Sequence, residues 1–71
     1  MRFNYYPDTD SLYIALSEKQ SRDAKEVAPN IVFDYDENGN VVGIDIFQYA
    51  STIVDLASLE IHSLPQHAVA A

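Results

Sequence analysis

Residues 31–46, IVFDYDENGNVVGIDI, constrain the fold of this chain more than any other stretch. Two runs that alternate apolar and polar residues flank Asn38-Gly39, a dipeptide that signals a type I′ hairpin turn. A two-residue loop there pairs Tyr35 with Val42, Phe33 with Ile44 and Ile31 with Ile46, all on one face. Side chains alternate at period two, so a slip of one residue would scatter that set. Pattern and turn therefore specify the same register. The back of this ribbon is acidic, with Asp34 opposite Gly43 and Asp45 opposite Val32.

The N-terminal residues repeat the pattern. Phe3 and Tyr5 alternate over residues 2–6, and Leu12, Ile14 and Leu16 over 11–16. Between them Pro7-Asp8-Thr9-Asp10 supplies a preset φ and side chains that satisfy nearby N–H groups, which is turn chemistry. Pairing Tyr5 with Leu12 and Phe3 with Ile14 closes a first hairpin whose outer face carries Arg2, Asn4, Tyr6, Tyr13 and Ala15. Residues 17–26 are polar, with a short extended piece over 22–27 expected to pair against the first hairpin. Pro29-Asn30 breaks the chain before the next strand. After Ile46 the periodicity weakens to a bend or helical turn at 47–51. A second turn with Asp55 as N-cap and an extended segment over 59–64 follow.

The predicted fold is therefore mainly β (α+β): two sequential antiparallel hairpins in one twisted sheet, plus a short C-terminal helical turn or extended segment. Residues 1–65 form the single domain and 66–71 a flexible tail. One face bears Phe3, Tyr5, Leu12, Ile14, Leu16, Ile31, Phe33, Tyr35, Val42, Ile44 and Ile46, and needs a cover. Seventy-one residues with no cysteine have no disulfide staple. Sheet-on-sheet packing in a homodimer or higher homo-oligomer is the expected solution.

Eleven Asp and Glu against four Lys and Arg give a net charge of −7. That balance disfavours nucleic acid and anionic membranes and favours a basic protein or a cation. No apolar leader and no run of roughly 18 apolar residues is present, so the cytoplasm is the expected location.

Asp34-x-Asp36-x-Asn38-Gly39, with Asp45 at the twelfth position, matches the opening of an EF-hand calcium loop. The flanks alternate at period two where an EF-hand needs helices, so these carboxylates read as a polar strand face. Asp8, Asp10, Asp34 and Asp36 would form a divalent-metal or metal-dependent hydrolytic site if both hairpin tips met at one end of the sheet. Apart from that alternative, no cofactor is implied. His62 and His67 lack the partners of a zinc site. No serine sits in a nucleophile elbow, and the two glycines, Gly39 and Gly43, form no phosphate loop. No catalytic constellation supports an enzyme. Among the five tyrosines, Tyr6 and Tyr13 project from the outer face, where tyrosine serves interfaces well.

The runs Tyr5-Tyr6-Pro7-Asp8-Thr9-Asp10-Ser11-Leu12-Tyr13-Ile14, Glu26-Val27, Ile31-Val32-Phe33-Asp34-Tyr35-Asp36 and Val42-Gly43-Ile44-Asp45-Ile46 resemble the YuzE-like family of small bacterial domains of unknown function. The resemblance covers roughly residues 1–50. It implies a stand-alone β-rich domain and an antitoxin-like role beside small toxin-like proteins, with no catalytic or ligand residues to carry over. Tyr6 departs from the usual acidic residue before Pro7, which weakens any shared carboxylate site at the first turn. Together these readings favour a non-enzymatic interaction module with Tyr6, Tyr13, Asp34, Asp36 and Asp45 meeting a basic partner.

Overall fold

A computed structural model describes residues 1–65, so the expected tail at 66–71 lies outside the described residues. Among the described residues five strands form: β1 (Arg2–Tyr6), β2 (Ser11–Ala15), β3 (Asp23–Ala28), β4 (Ile31–Tyr35) and β5 (Val41–Ile46). One helical turn, α1 (Ala50–Ile53), follows them. The sheet order is β1-β2-β5-β4-β3, and every neighbouring pair is antiparallel. The expected mainly β architecture, two hairpins in one sheet, is what the chain adopts.

The first hairpin keeps the expected register, with Phe3 opposite Ile14 and Tyr5 opposite Leu12. The second keeps it from Ile31↔Ile46 through Phe33↔Ile44 to Asp34↔Gly43, then departs from it. Tyr35 faces Val41 rather than Val42, and Val42 is the extra residue of a β-bulge. The turn explains the shift. Gly39 N–H donates to the Asp36 carbonyl at 3.1 Å and Asp36 N–H to the Asn40 carbonyl at 2.9 Å. Only Gly39, at φ +83°, is left-handed in this loop, whereas a type I′ turn needs Asn38 there as well. The loop is a type I turn followed by a left-handed glycine, one residue longer than expected.

The strand over Asp23–Ala28 pairs with β4, not with the first hairpin. Pro29 presets its own φ and Asn30 takes φ 66°, so the pair closes a tight β3–β4 turn instead of merely interrupting the chain. Val27 forms a second bulge within that pairing. The two expected hairpins meet through β2 and β5, where Leu12 faces Ile46 and Ile14 faces Ile44.

Cross-strand rows follow from these registers. Tyr5, Leu12, Ile46 and Ile31 form one row, and Phe3, Ile14, Ile44 and Phe33 the next. Leu12 and Ile46 are buried beneath Ala50, with Ile14, Ile31, Ile44 and Val54 packed around them. Asp10 secures α1 on this face: its carbonyl accepts from Ala50 N–H at 3.0 Å, and its carboxylate from Ser51 Oγ at 2.7 Å and Ser51 N–H at 3.1 Å. Asp55 opens a turn rather than a helix, accepting from Ala57 N–H at 3.1 Å. Residues 59–65 carry no regular secondary structure. The segment from Val54 to Leu59 leaves a groove of about 530 Å³ over Phe3, Tyr5, Leu12 and Ile14. Ile31, Phe33 and Tyr35 remain half-buried, so the apolar face is only partly covered.

Candidate functional site

The outer face of the sheet carries the chemistry. Alternation along each strand sets Asn4, Tyr13, Asp45, Val32 and Glu26 in one row and Arg2, Ala15, Gly43, Asp34 and Ala24 in the next. Asp34 and Asp45 are diagonal neighbours on adjacent strands, within reach of each other's charge. Burial, and then the charge of Asp34, push the half-buried Asp45 carboxyl above the usual carboxylate range. Burial also raises the Tyr13 phenol, and hydrogen bonding with Asp34 adds to the shift.

Gly43 makes that contact feasible. The Tyr13 ring lies across it, so a methyl group at Gly43 would sit 2.8 Å from Tyr13 Cζ. A side chain there would push the hydroxyl away from Asp34. Glycine in mid-strand has its ordinary meaning here: another group comes close.

Of the five expected partner-binding residues, the structure brings Tyr6, Tyr13, Asp34 and Asp45 onto one face. Asp36 is elsewhere. It is buried in the second turn, where Oδ1 accepts from Asn38 N–H and Asn40 N–H, each at 2.9 Å. The backbone hydrogen bond from Asn40 is the main reason its carboxyl is held below the usual range, opposed by burial and aided by Asn38. Asp36 is thus committed to the loop.

The four carboxylates of the metal alternative are not gathered. Residues 7–10 close the sheet at the end where Leu12 meets Ile46, and residues 36–40 close it at the other end. Asp34 lies on the outer face between them. Among the described residues no group of three or more His, Asp or Glu is placed to hold a metal ion. Asp10 bonds to Ser51, and Tyr5 donates to it at 2.7 Å. The tyrosine hydrogen bond is the largest influence lowering the Asp10 carboxyl and raising the Tyr5 phenol.

One outer-face residue was not foreseen from the sequence: Glu26 joins the Asp45 row because β3 pairs with β4. Arg2, expected on this face, closes one corner while bound to Glu18 at 2.9 Å. Alternation in β1 signals the position of Arg2; the polar β3 segment offers no comparable signal for Glu26.

A family model described as Protein of unknown function (DUF2283) matches residues 2–49. The chain belongs to the DUF2283 family. No curated protein and no solved structure matches it. The DUF2283 match spans all five strands and ends before α1, so the entire outer face lies inside the family's domain. Among the described residues of this DUF2283 chain no helix is long and apolar enough to cross a membrane.

Proposed function

We propose that this DUF2283 domain is a non-enzymatic protein-interaction module that receives a basic partner on its outer sheet face. The observation that carries the reading is the Asp34–Asp45 pair, two like charges held on a half-buried surface at a cost to Asp45. Neither takes part in an ion pair among the described residues. A lysine or arginine brought by a partner would relieve the repulsion, and partial burial makes that gain larger than at an open surface. Tyr13 beside the pair and the exposed Tyr6 would supply contact area. The YuzE-like resemblance refines the reading to an antitoxin-like role, with a small basic toxin-like protein as the partner.

Co-expression with the basic product of an adjacent gene, followed by size exclusion at low and at ~0.5 M salt, tests this. The two proteins should co-migrate at low salt and separate at high salt. Asp34→Asn combined with Asp45→Asn should weaken the complex more than about tenfold. Absence of co-migration at low salt, or a complex indifferent to both substitutions, overturns the proposal.

A further inference from the structure

The two edges of the sheet are not equivalent. The free edge of β3 is guarded: Asp23, Lys25 and Glu26 line it and the Val27 bulge interrupts it, which are standard obstacles to strand addition. The β1 edge carries a single charge, Arg2, at one end and paired with Glu18. Its pairing with β2 is regular from Arg2 to Tyr6, without bulge or proline, and among the described residues β1 has no second strand neighbour.

The direction of its free groups can be read from the turn. The Tyr6 carbonyl faces inward and accepts from Thr9 N–H at 3.3 Å. Alternation then turns the N–H and C=O of Phe3 and Tyr5 outward. Those two residues are also 42% and 41% exposed.

We propose that β1 is a homodimerisation edge, pairing antiparallel with β1 of a second copy about a two-fold axis at Asn4. The strand is self-complementary in that register. Phe3 falls opposite the second copy's Tyr5, so the outward groups meet in hydrogen-bonded pairs and the rings meet on the apolar face. Arg2 falls opposite the second copy's Tyr6 on the outer face, a cation–π geometry. Asn4 faces its own copy across the axis. Despite the chain's net charge of −7, β1 carries no acidic residue, so no carboxylates are opposed within the new pair. The product is one continuous sheet of two five-stranded halves, with both outer faces on the same side. This inference concerns the edge and does not rest on the partner assigned to the acidic face.

The absence of cysteine permits a direct test. Asn4→Cys places a single thiol on the axis, at a non-hydrogen-bonded position where facing Cα atoms are about 4.5 Å apart. Mild oxidation of the full chain should yield a covalent dimer, whereas Ala24→Cys on the β3 edge should not. Sedimentation of the unmodified chain at tens of micromolar should give twice the 8.0 kDa monomer mass. Phe3→Pro removes an N–H that faces away from β2 and should raise the dissociation constant more than about tenfold while the β-sheet circular dichroism persists. If that variant does not fold, Phe3→Lys with the same two readouts replaces it. A monomer at these concentrations overturns the proposal. So does a dimer that keeps its affinity in Phe3→Pro or fails to cross-link through Asn4→Cys, the result expected of face-to-face packing.

Discussion

At Gly43 the absence of a side chain on β5 is what lets the Tyr13 ring of β2 lie across the strand, toward the Asp34 that helps raise its phenol. Gly43→Ala should therefore cost about 1–3 kcal/mol by overpacking, measured by urea unfolding. In a Tyr13→Ser background the same substitution should be nearly neutral; an equal cost in both backgrounds would mean that the ring is not the obstacle. Asp45 makes a different point. Its carboxyl is raised in the folded state, so ionisation is disfavoured by folding and the protein loses stability as pH rises through the carboxylate range. Asp45→Asn should raise the melting temperature at pH 7 and lose that advantage below about pH 3, where the carboxyl is protonated in both states. On the proposed reading, Asp45 is kept for the partner it meets despite its cost to the fold. The facing of Asp34 and Asp45 was legible from alternation alone. The ring crossing Gly43 was not, because it depends on β2 and β5 being neighbours, a non-local fact that no local pattern encodes.

Among the elements, legibility tracks side-chain periodicity. The first hairpin announces itself in both strands and its turn, and its register is as expected. In the second, the strands pair correctly as far as Asp34, but a carboxylate changes the loop: Asp36 bonds to Asn38 and Asn40 and favours a type I turn with a left-handed glycine. β3 has almost wholly exposed residues and no apolar alternation, so an extended piece at 22–27 was legible but its partner β4 was not, and Pro29-Asn30 read as a break rather than as the turn it forms. Two measurements follow. Gly39→Ala forces a Cβ into φ +83° and should cost about 1 kcal/mol, although open space surrounds the position. Acidification should weaken both hairpin ends together. The Asp36 and Asp10 carboxyls are lowered in the folded state, so their stabilisation is full above the usual carboxylate range and is lost as pH falls through their folded values. Thermal melts from pH 6 to pH 2 should show that decline, and Asp36→Asn should flatten it.

For the molecule as a whole, the question is how the chain stabilises a one-layer sheet whose second layer, among the described residues, is a single helical turn and the strap of residues 54–65. α1 and Val54 sit over Leu12 and Ile46, at the centre of the apolar face. Beyond them the strap supplies graded cover: Leu56 is 38% exposed against the groove, Leu59 63%, and Ile61 85%. A hydrophobic side chain stabilises in proportion to the area it removes from water, so the strap's contribution should fade along its length. Leu56→Ser should lower unfolding stability by about 1–2 kcal/mol and increase dye binding to the exposed Phe3–Tyr5 end. Ile61→Ser should change neither, because its side chain is already in water. Equal losses at both positions would mean that the strap acts as a unit and that residue 61 is shielded in solution by something outside the protomer. The graded result would leave α1 and the first turn of the strap as the effective second layer among the described residues, with the rest of the apolar face supported by the sheet's own cross-strand rows.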